Sequence, residues 1–322
     1  MRYWLLWTLL FLFASSHARA EGTEQAPAAA AALIDLGNSQ VTQNRREEAL
    51  RSFQEALKVY RELAQKDPET YLPYVAVTLN DLGNLQTLQS RMEEALPFYE
   101  EALKIRRELA QKNPGTYLPH VAVTLSNLAS LQERRNRMEE AQRSYQEALK
   151  IYRELAQKSP DTYLPFVAAT LNGWGNLQRG QNRMEEAQRS DEEALKIYRD
   201  LAQKSPDTYL PHVARTLDHL GTFQDAQGQR KEALRFYQEA LKIDRELVRK
   251  NPDAYAPRLA HTLSLLGMNY HLQERMDEAR SSYQEAVGIY ESLVKRDPGY
   301  EKSLAAAKKF LDELPKPASA RP

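Results

Sequence analysis

Apolar positions recur at spacings of three and four along nearly the whole chain, in two alternating stripes. From about Pro73 to Gln89, Val75, Leu79, Leu82 and Gln86 share one face, the pattern of an amphipathic helix. From about Arg91 to Lys112 a second stripe follows, made of Ala95, Tyr99, Ala102 and Ile105. Small alanines at two points let helices approach closely, and the aromatic ring fills the space between them. The two stripes return every 46 residues without insertion. Tyr71, Tyr117, Tyr163, Tyr209 and Tyr255 each open a near-copy of Tyr-Leu-Pro-x-Val-Ala-x-Thr-Leu. Leu82-Gly83, Leu128-Ala129, Trp174-Gly175, Leu220-Gly221 and Leu266-Gly267 keep step, and Leu36-Gly37 extends the pattern back once. Self-similarity at such a period predicts a solenoid, in which each helix pair covers its apolar face with its neighbour.

The ends of these helices have their own signals. Ser90-Arg-Met-Glu93 reads as a capping box, and Asn44-x-x-Glu47, Asn136-x-x-Glu139 and Asn182-x-x-Glu185 repeat it. Asn113-Pro114 stops the second helix, because proline disfavours helix in the residue before it. Pro73 suits a first-turn position. Glu62–Lys66, Glu108–Lys112, Glu154–Lys158 and Glu246–Lys250 lie four apart, the spacing of helix-surface ion pairs on a solvated face.

Leu36, Gly37, Ala49, Phe53, Ala56 in the first unit and Leu82, Gly83, Ala95, Tyr99, Ala102 in the second share one spacing. It returns as Leu220, Gly221, Ala233, Tyr237, Ala240 and as Leu266, Gly267, Ala279, Tyr283, Ala286. This spacing resembles the tetratricopeptide repeat, and the long period and Pro97 resemble its kinesin-light-chain variety. The resemblance covers residues 28 to about 296. It implies an all-α, right-handed solenoid of six helix pairs, with repeats at about 30–63, 76–109, 122–155, 168–201, 214–247 and 260–293. Leu304, Ala307, Lys308 and Leu311 predict one further helix over 300–314, a terminal cap. Residues 21–27 read as a flexible lead-in, 28–314 as the solenoid, and 315–322 as a disordered tail. Kinesin cargo transport itself does not fit a chain with a leader.

That leader is the start of the chain. Arg2, an apolar run from Tyr3 to Ala14 and the small-x-small triplet Ala18-Arg19-Ala20 have the layout of a signal peptide spanning residues 1–20. Cleavage near Ala20 would place the repeats outside the cytoplasm, periplasmic or secreted. Twelve apolar residues are too few to cross a membrane core of about 30 Å comfortably; retention as an anchor is the alternative.

Composition narrows the chemistry. Lysine plus arginine equals aspartate plus glutamate at 44 each, which gives no basic stripe for nucleic acid. There is no cysteine, hence no thiol nucleophile, disulfide or thiolate metal site. Phosphate-binding glycine loops, His-Glu-x-x-His and Gly-x-Ser-x-Gly are missing, so the chain reads as non-catalytic, without cofactor or metal. His120 and His212 stand where Tyr74, Phe166 and Arg258 stand in other units, which points to packing and not to metal. Arg215, Asp218, His219 and His261 on successive first helices form a candidate polar patch for a ligand.

The first helices carry the functional expectation. With Asn80 at zero on a helical wheel, Asn84 falls at about 40° and Val77 at about 60°, while Leu79, Leu82 and Gln86 cluster near −130°. Asn80 and Asn84 therefore point away from the core. In the resembled family the first helices line the concave surface. Asn38, Ser126, Ser130, Asn172, Asn176, Asp218 and Thr222 would extend this ladder of short amides and hydroxyls, which can pair with N–H and C=O of an extended backbone. The expected function is capture of a peptide or protein partner in that groove; an accessory subunit of an envelope or secreted enzyme complex is the alternative. Self-association through the array ends is open. The cations of the carboxylate clamp found in some relatives have no counterpart at Asn80, Ser126 or Asn172. In the fourth unit Gly173, Gly180 and Asp191 interrupt the pattern and predict a hinge or weak point.

Overall fold

The computed structural model describes residues 22–315. The leader at 1–20 and the tail at 316–322 lie outside the described residues. Thirteen α-helices follow one another in antiparallel succession, with no strand among the described residues. They are α1 (Gly22–Thr42), α2 (Arg46–Lys66), α3 (Pro68–Leu88), α4 (Met92–Lys112), α5 (Pro114–Arg134), α6 (Met138–Lys158) and α7 (Pro160–Gly180). Then come α8 (Met184–Lys204), α9 (Pro206–Ala226), α10 (Arg230–Lys250), α11 (Pro252–Leu272), α12 (Met276–Val294) and, after a short 3-10 turn at Pro298–Tyr300, α13 (Glu301–Glu313). This is the all-α solenoid of six helix pairs plus a capping helix. Residues 22–27 are not a lead-in: they form the first turns of α1.

The chain divides into two compact units that meet inside α6, one ending at Ile151 and the other beginning at Tyr152. In the first unit the core runs through Ala49, Phe53, Ala56, Tyr60, Val75, Leu79, Leu82 and Ala102. The same positions recur in the second unit as Ala233, Tyr237, Leu259, Leu263, Leu266 and Ala286. There α13 closes the last pair: Phe310 stacks on Tyr283 at 5.8 Å, and Ala307 and Leu314 are buried. Close approach within a pair needs the small residue after the leucine. A Cβ added to Gly83 would stand 2.7 Å from the Tyr99 ring, too near for carbon against carbon.

The helix ends differ from the capping-box expectation. Ser90, Asn44, Asn136 and Asn182 do not cap. They occupy the left-handed region, with φ near +60°, where short polar side chains are tolerated. The N-cap positions fall to Arg45, Arg91 and Arg183, without side-chain caps. True caps sit at the other junction: the carboxylate of Asp67 accepts from Thr70 N (3.2 Å), the Asn113 amide oxygen from Thr116 N (3.2 Å), and that of Asn251 from Ala254 N (3.1 Å). The first helices consequently start at Pro68, Pro114, Pro160, Pro206 and Pro252, one residue past the stop signal. Proline serves both junctions: it ends one helix and opens the next at a position where no N–H is required. Pro73 therefore lies inside α3, not in its first turn.

The second helices present charge outward. Of the four expected i,i+4 pairs, Glu246–Lys250 is formed, at 3.5 Å. The recurring device instead joins adjacent second helices: Arg61–Glu101, Arg107–Glu147, Arg153–Glu193, Arg199–Glu239 and Arg245–Glu285, at 2.6–3.0 Å. A planar guanidinium can reach both oxygens of a neighbouring carboxylate, which the helix-surface spacing alone does not reveal.

Candidate partner-binding face

In the first unit the open side of α3 carries Tyr74, Val77 and Leu88, all exposed, with Asp81 and Asn84 half-buried between them. Ala31, Asp35 and Asn38 occupy the matching positions of α1; Val123, Asn127 and Ser130 occupy those of α5. Tyr74 lies flat on Tyr60 at 5.2 Å. One ring face is spent on the core and the other is left to solvent. Burial pushes the Asp81 carboxyl up to about 6, against the pull of Arg106.

The amide ladder splits. Asn80 is only 6 % exposed, and its Oδ1 accepts from Asn127 Nδ2 (3.3 Å) and Arg106 Nη1 (3.4 Å). Asn172, 4 % exposed, donates to Thr216 Oγ1 at 3.0 Å. Asp218, 2 % exposed, takes Thr262 Oγ1 at 3.0 Å and Arg258 Nη2 at 2.9 Å. These three are not open to a visitor: they lock one first helix to the next. The wheel treated the helix as packed on a single side, whereas in a stacked array each first helix also meets the following pair. Of the remaining members, Asn38, Ser130, Asn176 and Thr222 are exposed, and Asn84 and Ser126 are half-buried. Several already have partners. Asn84 Oδ1 accepts from Tyr99 Oη (2.7 Å) and Asn127 Nδ2 (3.1 Å), Ser126 donates to Ala122 O (3.0 Å), and Thr222 donates to Asp218 O (2.9 Å). Asn176 Oδ1 accepts from Arg179. The ladder survives as a partial row of polar groups beside apolar ones. Tyr74, Val77 and Leu88 were missed, although Val77 already fell on the polar arc of the wheel. An apolar residue there was the available signal.

In the second unit the open positions are Phe166, Ala169, Gly173, Asn176 and Gly180 on α7. On α9 they are Arg215, His219 and Thr222, and on α11 His261, Leu265, Met268 and Leu272. Arg215, Asp218, His219 and His261 do not converge into one constellation. Arg215 Nη2 lies 3.1 Å from His212 Nδ1; His219 Nδ1 lies 3.3 Å from Arg179 Nη2 and 3.6 Å from Asp191 Oδ1. Asp218 turns inward to a second carboxylate. Asp244, fully buried on α10, accepts from Arg258 Nε (2.6 Å) and Thr262 Oγ1 (2.7 Å). Two carboxylates thus share one guanidinium and one hydroxyl, and Asp218 Oδ1 has no hydrogen-bond partner among the described residues. Burial, only partly offset by Arg258, pushes Asp218 up to about 7 and moves Asp244 in the same direction.

The fourth pair is a charge exchange and not a void. At the site of Tyr99 and Tyr237 stands Asp191, fully buried and paired with Arg179. Besides Asn84 and Thr222, the ring's hydroxyl meets the residue twelve positions earlier: Thr87 for Tyr99 (3.4 Å) and Asp225 for Tyr237 (3.2 Å). In the fourth pair that position is Arg179. Gly173 and Gly180, expected to loosen a hinge, sit on the open side of α7. His120 and His212 lie beside tyrosines of their own helices, Tyr117 and Tyr209, and His212 also stacks on Tyr198 at 4.9 Å. No cluster of three metal-ligating side chains occurs among the described residues.

Two family models of the tetratricopeptide repeat match the chain. One matches at 29–68, 75–114, 213–253 and 259–298, together half of its length, and the other at 107–154. The chain belongs to the tetratricopeptide repeat family. Such repeats mark a scaffold for protein–protein interaction, a fold typically non-catalytic. The charge-exchanged fourth pair is the one that neither model matches. Solved structures agree in fold. BtubC (BKLC) of P. vanneervenii is 21 % identical over 77 % of this chain and 92 % of its own, with a TM-score of 0.60. PilF of Pseudomonas aeruginosa is 17 % identical over 88 % and 99 %, at 0.52. A Podosopora anserina structure with nearly identical kinesin-light-chain TPR-like repeats is 16 % identical over 70 % and 98 %, also at 0.52. No curated protein matches the chain. Among the described residues no helix is long and apolar enough to cross a membrane.

Proposed function

We propose that this protein is an exported, non-catalytic scaffold that holds an extended peptide or protein partner against the open side of its first helices. One observation carries the reading. The exposed large apolar side chains of the described residues, Leu36, Tyr74, Val77, Leu88, Phe166 and Leu272, all lie on first helices. The second helices turn ion pairs to solvent instead. Leu36 lies on the first described helix, and its equivalents Leu82, Leu220 and Leu266 in later pairs are buried. Apolar groups beside open polar ones suit a partner-binding surface. Amides and hydroxyls such as Asn38, Ser130 and Asn176 would pair with backbone groups of the partner, with Tyr74, Val77 and Leu88 supplying apolar contact. Export rests on the sequence of residues 1–20.

A photocrosslinker replacing Val77 or Ala169, on first helices, is expected to capture a partner in the native extracytoplasmic fraction. The same group at Lys58 or Lys196, on second helices, is expected to capture none. Crosslinks from the second-helix positions alone would overturn the reading.

A further inference from the structure

The open sides of the two units differ in charge. On α1 and α3 the outward positions include the carboxylates Asp35 and Asp81. On α7, α9 and α11 the corresponding positions carry no carboxylate: they are Ala169, Gly173, Asn176, Gly180, Arg215, His219, Thr222, His261, Leu265, Met268 and Leu272. The nearby acids lie beneath and are engaged. Asp191 is paired with Arg179, Asp218 and Asp244 with Arg258, and Asp225 accepts from Asn269 Nδ2 at 2.6 Å. Arg215 is exposed and, among the described residues, forms no ion pair; its polar neighbours are the ring of His212 and the Tyr198 hydroxyl. Burial, then the charges of Arg258 and His219, hold the His261 imidazole below its ordinary range.

Resting on the reading above that the first helices form the binding side, we propose that the face of α7, α9 and α11 receives an acidic, extended segment of a protein partner. A side-chain carboxylate of that segment meets the Arg215 guanidinium, with the His261 imidazole at the matching position of the next first helix. Three features fix this occupant. The Arg215 guanidinium, which forms no ion pair among the described residues, and the His261 imidazole supply donors, while His219 stays turned to Arg179 and Asp191. Gly173 and Gly180 leave two positions on the α7 side without side chains, so a main chain can approach closely there, with the Asn176 amide between them. Leu265, Met268 and Leu272 place an apolar strip on α11 beside the donors. Packed helices are spaced about 8–10 Å apart and an extended chain advances about 3.3 Å per residue. Roughly every third residue therefore meets a new helix, and the pattern recognised is an acidic residue followed about three positions later by an apolar one.

The test uses the full chain and labelled extended peptides in fluorescence polarisation. One peptide repeats Glu-x-x-Leu; a second carries Lys for each Glu; a single-stranded oligonucleotide of equal length is the third probe. The Glu peptide is expected to bind, with affinity falling as salt rises, and the Lys peptide and oligonucleotide not to bind. Arg215→Ala is expected to weaken the Glu peptide about tenfold, the loss of one charge-assisted hydrogen bond. His261→Ala is expected to weaken it less, and Lys104→Ala on α4 to leave it unchanged. Equal or tighter binding of the Lys peptide or the oligonucleotide, binding of no probe, or indifference to Arg215→Ala would overturn the proposal. Should first-helix crosslinks persist while the peptide series fails, the scaffold reading stands and the acidic partner falls.

Discussion

Arg179→Thr is expected to lower stability by about 3–5 kcal/mol, the cost of leaving a buried carboxylate without its cation. Asp191 is fully buried between α7 and α8, and Arg179 is its direct partner, with His219 Nδ1 farther off at 3.6 Å. The second arm of the experiment is the double variant Arg179→Thr with Asp191→Tyr. It installs the couple that Thr87 and Tyr99 form in the second pair, where the ring is buried and its hydroxyl meets the threonine. The double variant should recover most of the loss, giving a strongly non-additive cycle in urea denaturation. A single variant costing less than about 1 kcal/mol, or a double variant no better than the single, would mean that the two positions do not act as a unit. The same result bears on the fourth pair's departures. If charge has replaced the ring, that pair is built to a different plan and is not a weak link.

Asp218→Asn is expected to stabilise the protein at pH 8, by about 2–4 kcal/mol, and to flatten its pH dependence. The native cluster sets two buried carboxylates against one guanidinium. Burial raises Asp218 from the ordinary carboxylate range to about 7, so the folded state holds a proton that the unfolded chain has released. Between about pH 4 and pH 7 folding takes up that proton, and stability falls as pH rises; above about 7 the loss is complete. An amide cannot lose that proton, and it leaves Arg258 and Asp244 paired one to one. Asparagine is also what other repeats use here, at Asn80 and Asn172. The Asn172 amide donates to the Thr216 hydroxyl, and the variant's new amide would reproduce that hydrogen bond toward Thr262. Thermal melts of both proteins at pH 5 and pH 8 decide the matter. Equal pH slopes, or a variant less stable at pH 8, would show that Asp218 is held as a settled anion.

Fold and family were legible in the chain because they depend on short-range features repeated many times. The 46-residue period, the leucine–glycine step and the alanine–aromatic–alanine stripe each recur, and a helix pair that cannot cover its own apolar face has to stack. The cap was legible for the same reason: Ala307 and Leu311 continue a helical stripe past the last pair, and α13 buries Ala307. The binding side was legible only in part. Asn38, Ser130 and Asn176 are open as the wheel implied, whereas Asn80, Asn172 and Asp218 lie in the seams between first helices. A single-helix projection assigns one buried arc; stacking buries a second, and no periodicity within one helix marks where that second arc ends.

The chain by itself determined that the second helices stop before the Asn113-Pro114 type of signal, which stripe packs within a pair, and that the pairs form an array, since these follow from residue type at fixed local spacing. Only the tertiary structure decided which polar side chains are spent on holding neighbours together. Arg106 reaching Asn80, Arg179 neutralising Asp191, and Arg258 serving both Asp218 and Asp244 join residues far apart in the sequence. Whether such a group is a lock or an open site depends on the water left around it, and that is fixed by the helix packed opposite.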